Sequence, residues 1–117
     1  MDEAYRLASG VLLQAQKRRL LIATAESCTG GLVASTITAV PGSSKVFERG
    51  FVTYSNESKV EQLSVGKETI KHYGAVSEEV IKEMVLGAIK HSKADLALAV
   101  SGICLLYTSP SPRDSDS

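Results

Sequence analysis

Excess charge, aromatic residues, sulfur and long apolar runs are all scarce in this chain of 117 residues. Thirteen Lys and Arg side chains balance thirteen Asp and Glu. With no surplus of positive charge to displace counterions from a phosphate backbone, a nucleic-acid partner is not expected. No apolar run approaches the roughly 20 residues of a membrane span, so no membrane partner is expected either. The N-terminal MDEAYRLASG is acidic and amphipathic, unlike the basic-then-apolar pattern of a signal peptide. Cys28 and Cys104 stand far apart with no CxxC spacing, which reads as reduced thiols in a cytoplasm, not a disulfide framework or a zinc site. His72 and His91 are isolated and flanked by lysines, so they read as surface residues. The familiar phosphate and nucleophile loops are missing as well: there is no GxxxxGK[ST], no GxGxxG and no GxSxG.

What is present is alternation. At this length there is room for one domain and one core. Ala4, Leu7, Ala8, Val11, Leu12 and Ala15 recur at helical spacing and run into the basic Lys17-Arg18-Arg19. Residues 20–25 form a continuous apolar run, short enough for a strand buried on both faces. The spacing predicts a helix over 32–40, stopped by Pro41-Gly42, then a strand over 46–54 with Gly50 as a bulge. Asn56 is placed to cap a short helix over 57–63. Val80, Ile81, Met84, Val85 and Ala88 form a further helical stripe, with Ser77 as its cap and Glu78 and Glu79 in its first turn. Residues 95–101, DLALAVS, read as another buried strand. Helices alternating with buried strands imply an α/β layer fold. After SGIC the texture changes to LLYTSPSPRDSDS, crowded with Ser, Pro and Asp. Residues 1–103 are therefore taken as the domain, and 104–117 as a disordered, foreign-looking tail.

The chemistry concentrates in three places. The first is Glu26-Ser27-Cys28-Thr29-Gly30-Gly31, where an apolar strand passes straight into a helix. Ser27 closes the strand, and the N–H groups of Thr29, Gly30 and Gly31 have no intrahelical acceptor, so they can hold a phosphate or a developing oxyanion. A capped helix start, with Ser27 or Thr29 as the cap, accounts for the same residues. The second place is Tyr54-Ser55-Asn56-Glu57-Ser58-Lys59, where a strand hands over to a helix. A lysine whose pKa is depressed by burial, or by a positive neighbour such as Arg49, can activate a serine. A tyrosine can relay the proton. An ordinary solvated helix start is the alternative. The third is Ser101-Gly102-Ile103, again at the end of a buried strand. In an open α/β sheet such strand ends share one crevice.

Taken together, TAESCTGGLVAS, PGSSKVFERGFVTYSNESK, YGAVSEEV and ADLALAVSGI resemble the C-terminal domain of the CinA family, in order and through nearly all of residues 5–103. That family contains the bacterial nicotinamide mononucleotide deamidases. The resemblance implies a three-layer α/β/α fold, incomplete here because family members continue past the third strand. It implies hydrolysis of the carboxamide of nicotinamide mononucleotide, a small nucleotide substrate, to nicotinate mononucleotide and ammonia, with no cofactor and no metal. Carried over by position, it makes Ser27 the nucleophile, Lys59 the general base and Tyr54 a helper in proton transfer. Thr29, Gly30 and Gly31 would hold substrate or oxyanion, Ser43 and Ser44 would contact phosphate, and Gly102 would line the pocket. Glu26 could serve as an orienting carboxylate. Cys28, with no histidine to activate it, is taken as a small buried residue. A homo-oligomer is compatible with this reading. A non-catalytic nucleotide-binding or partner-binding module remains the alternative function.

Overall fold

A computed structural model of the chain describes residues 2–102, together with the backbone of 104–108. The elements run α1 (Asp2–Arg18), β1 (Ile22–Glu26), α2 (Leu32–Thr38), a 3-10 turn (Ser43–Lys45), β2 (Phe47–Val52), α3 (Asn56–Leu63), α4 (Lys67–Tyr73), α5 (Glu78–Lys90), β3 (Leu96–Ser101) and β4 (Cys104–Thr108). The sheet order is β2-β1-β3-β4, with β1 parallel to both neighbours. Every residue of the central β1 is buried, which explains its unbroken apolar run.

Helices cover both faces, as the three-layer expectation requires. On one face Ala8, Leu12 and Ala15 of α1 meet Ile37 of α2, and they pack with Ile22 and Val46. On the other, Val80, Ile81, Met84, Val85 and Ala88 of α5 and Leu63 of α3 cover Ala25, Ala97 and Ala99. The helix–sheet contact is close because small alanines line the strands. Gly87 allows α5 an equally close approach to α3, since a methyl there would sit 1.9 Å from the Leu63 carbonyl oxygen. No helix among the described residues is long and apolar enough to cross a membrane.

Three local expectations need adjustment. The irregularity in β2 lies at Glu48, because Ile22 pairs with Phe47 and Ala23 with Arg49. Gly50 is instead required by packing: a methyl there would come within 2.7 Å of Thr24 Oγ1. Ser55, not Asn56, caps α3, its Oγ accepting from Ser58 N at 3.0 Å. The segment Lys67–Tyr73 forms α4, which the spacing did not suggest. The backbone also continues past the expected boundary after residue 103. Cys104–Thr108 pairs antiparallel with β3, with Ser101 opposite Cys104 and Ala97 opposite Thr108. Unpaired N–H and C=O groups along the edge of β3 are a ready template for such a strand. Ile103 and residues 109–117 of the expected tail lie outside the described residues.

Candidate active site

The carboxyl ends of β1, β2 and β3 meet at one edge of the sheet, and backbone hydrogen bonds lock them together there. Ser27 N donates to Val100 O at 3.1 Å, and Thr53 N donates to Glu26 O at 2.8 Å. The residues just past the three strands are Ser27, Thr53-Tyr54 and Gly102, so all three polar clusters of the sequence do converge.

Ser27 and Lys59 are in direct contact. Lys59 projects from the first half of α3 and is only 1% exposed, while Ser27 is 7% exposed. Its Nζ lies 3.0 Å from Ser27 Oγ and donates to the carbonyl oxygens of Thr53 at 3.0 Å and Tyr54 at 3.3 Å. No carboxylate forms an ion pair with it among the described residues. Burial holds the Lys59 ammonium below its usual pKa of 10.5, with negative charge on Cys28 acting the other way. Arg49 plays no part in this, since its guanidinium pairs with Glu48 at 2.8 Å and reaches the His91 carbonyl. The two carbonyls are acceptors only. In neutral Lys59 they take both amine hydrogens and leave the nitrogen lone pair to the Ser27 hydroxyl.

Glu26 organises the loop beyond Ser27. Fully buried at the end of β1, its Oε1 accepts from Thr29 Oγ1 at 2.6 Å, Gly31 N at 3.1 Å and Val33 N at 2.9 Å, while Oε2 accepts from Ala34 N at 2.9 Å. Gly30 N donates to Ser27 O at 3.1 Å. The expectation that Gly30 and Gly31 present their N–H groups to substrate is therefore corrected: an internal carboxylate and a turn carbonyl already use both. These glycines serve the turn, with φ of 61° and 110°. The Thr29 hydroxyl is likewise turned to Glu26. The N–H groups of Cys28 and Thr29 find no acceptor among the described residues.

Other expected members fall elsewhere. Tyr54 offers its carbonyl to Lys59, but its side chain is 74% exposed and its hydroxyl has no hydrogen-bond partner among the described residues. The Tyr54 side chain thus stands at the solvent side of the buried pair. Ser43 and Ser44 precede β2, and Ile22 N donates to Val46 O at 2.8 Å, so they lie beside the start of β1, not its end. In a parallel sheet that is the opposite edge, roughly 16 Å from Ser27. Ser43 Oγ donates to Thr38 O at 3.2 Å, which closes a local turn. Gly102 is at the site, where its carbonyl accepts from Cys28 Sγ at 3.3 Å, and its φ of 58° and proximity to Val76 require glycine. Cys28 is exposed, not buried. His72 and His91 are on the surface as expected, with His91 Nε2 2.8 Å from Ser64 Oγ. The carbonyls of Thr53 and Tyr54 and the amide of Cys28 could not be found by residue type, because every residue carries these groups.

Comparison with known proteins adds to this geometry. The family model described as the CinA C-terminal domain matches residues 4–105. The chain is 50% identical over 102 residues to nicotinamide-nucleotide amidohydrolase PncC of Escherichia coli strain K12, a match covering 87% of this chain and 62% of that protein. It is 54% identical over 97 residues to a CinA-like protein of Akkermansia muciniphila, covering 83% of this chain and 23% of that protein. Among solved structures, the competence/damage inducible protein CihA from Agrobacterium tumefaciens superposes with a TM-score of 0.83 at 45% identity, over 86% of this chain and 61% of that one. The chain thus spans about three fifths or less of the length of these relatives.

Proposed function

The chain belongs to the CinA C-terminal domain family, and from that premise we propose that its Ser27–Lys59 pair hydrolyses the carboxamide of nicotinamide mononucleotide. The observation that carries this reading is the 3.0 Å contact between Lys59 Nζ and Ser27 Oγ, made by a buried lysine with no carboxylate partner among the described residues. The relative from Escherichia coli named as a nicotinamide-nucleotide amidohydrolase supports the choice of substrate.

In this mechanism neutral Lys59 takes the Ser27 hydroxyl proton as Oγ forms a bond to the carboxamide carbon. The carbonyl π pair moves onto oxygen, and the N–H groups of Cys28 and Thr29 face that developing charge. The tetrahedral intermediate collapses with cleavage of the C–N bond, the leaving nitrogen takes the proton from Lys59, and ammonia departs. Water then gives a proton to Lys59 and attacks the ester. Lys59 returns that proton to Ser27 Oγ, and nicotinate mononucleotide leaves. The protein supplies a dry base, a placed nucleophile and two amide donors. The same reading places the reaction in the cytoplasm of a bacterium.

Ammonia release from nicotinamide mononucleotide tests it. Ser27→Ala lowers turnover at least about a thousandfold, whereas Cys28→Ala keeps most of it. A dead cysteine variant beside an active alanine-27 variant reverses the nucleophile. Nucleotide binding without ammonia release by the unmodified chain returns the non-catalytic reading.

A further inference from the structure

We infer that Glu26 is the positioning residue of the site, holding Ser27 and Lys59 in register through the two loops that carry them. The inference rests on the serine–lysine reading above and goes beyond it, because Glu26 touches neither reacting group.

The starting observation is that α2 is begun by a fully buried carboxylate, where α3 and α5 use serines and α4 the half-buried Glu83, which accepts from Gly66 N and Thr69 Oγ1 at 2.8 Å each. Helices α3 and α5 start on serines, whose hydroxyls accept from Ser58 N and Val80 N. Such caps are short, local and uncharged. At α2 the N-cap position is Gly31, which makes no side-chain cap bond, and the work is done by a carboxylate from the last residue of the central strand. A fully buried carboxylate is a costly way to begin a seven-residue helix. It costs less only because donors surround it: the Thr29 hydroxyl and the amides of Gly31, Val33 and Ala34.

Those donors fix the path of the loop. Ser27 and Cys28 lie between Glu26 and its first partner, Thr29, so the Glu26–Thr29 bond closes a tight ring over the nucleophile and its following amide. Gly30 N, bonded to Ser27 O, closes the same turn from within. The main chain of Glu26 does the second half of the job. Its carbonyl accepts from Thr53 N at 2.8 Å, and the carbonyl of Thr53 in turn holds Lys59 Nζ at 3.0 Å. One rigid residue thus joins the serine loop by its side chain and the lysine's acceptor by its backbone. A displacement of about 1 Å between such groups costs on the order of a hundredfold in rate.

Glu26→Gln keeps the size of the side chain but turns an acceptor into an amide that faces the Ala34 N–H, donor against donor. With the complete chain and nicotinamide mononucleotide, kcat falls about 10- to 100-fold while KM stays within about threefold. Thr29→Val, which removes only the shortest of the four bonds, costs about 3- to 10-fold in kcat, and Thr29→Ser recovers most of that loss. A second readout needs no turnover. The Ser27 13Cβ resonance shifts as Lys59 titrates in the unmodified chain, and this coupling is lost in Glu26→Gln. A folded Glu26→Gln protein with unchanged kcat and intact coupling overturns the inference, as does Thr29→Ser behaving no better than Thr29→Val. If Glu26→Gln does not fold, the Thr29 pair decides. If the unmodified chain releases no ammonia, the hydrolase reading fails for it, while the resonance coupling still tests the role of Glu26.

Discussion

The two ends of the parallel sheet use the same kinds of residue to opposite effect. At the carboxyl end, Ser27, Lys59, Glu26 and the carbonyls of Thr53 and Tyr54 bond to one another across neighbouring strands and are sealed from solvent, apart from the exposed Tyr54 side chain. At the amino end, polar groups close turns or tie the starts of strands together. Ser43 bonds back to Thr38 O, and Asp95 accepts from Leu21 N at 3.0 Å. The groove along α1 at that end, about 520 Å³ and lined by Leu7, Val11, Ala15, Leu20 and Leu96 among others, is mainly apolar. Strand direction explains the difference. In a parallel sheet every strand exit falls on one edge, so residues that follow strands accumulate there and can face each other. Residues that precede strands collect on the other edge, where incoming loops need turn closure. A serine's chemistry thus depends on which side of its strand it stands.

The sharpest way to break the contrast is at Lys59. Lys59→Arg keeps a positive charge but cannot act as a base near neutral pH, so turnover falls about 10²- to 10⁴-fold while binding of nicotinamide mononucleotide stays within about threefold. In the unmodified protein kcat/KM climbs as pH rises through the Lys59 pKa, because the neutral amine is the active form. Since burial holds that pKa below 10.5, the climb is complete at a lower pH than an exposed lysine would give. An arginine variant with substantial activity, or a rate that falls over the same range, contradicts the base assignment.

The smallest effects belong to the other end. Ser43→Ala removes one turn hydrogen bond and costs about 0.5–1.5 kcal/mol in stability, read from urea unfolding, with KM within about twofold. Ser44→Ala, at an exposed position, changes both less. A large rise in KM from either substitution restores these serines as phosphate contacts and removes the distinction between the two ends.

Much of this arrangement was legible in the residues. The fully buried run of β1, the strand at β3, where buried and half-buried residues alternate, the stripe of α5 and its Ser77 cap follow from periodicity and side-chain chemistry alone. Ser27 and Lys59 stood out because polar, reactive types interrupt apolar texture where a strand meets a helix. Helix α4 was not legible: KETIKHY has one aliphatic residue, buries none of its residues and begins at Gly66 without a side-chain cap. Ser55 and Asn56 are both good caps, so residue type could not separate them. The place of Ser43 and Ser44 was not legible for a different reason. Their position beside Pro41-Gly42 suggested a phosphate turn, while their place before β2 puts them on the edge opposite Ser27. The ring of Tyr54 pointed to proton transfer, but the group delivered to Lys59 is its carbonyl, which no side chain advertises.

The central claim is that burial lowers the pKa of a lysine in contact with Ser27, so that its neutral form can act as the base. The most direct measurement is the titration of Lys59 Nζ itself, followed by nitrogen NMR on the folded chain with Lys59→Arg to assign the signal. The account predicts a midpoint clearly below 10.5, accompanied by a matching shift at Ser27. A midpoint at or above the ordinary lysine value, with Ser27 indifferent to it, would contradict the account.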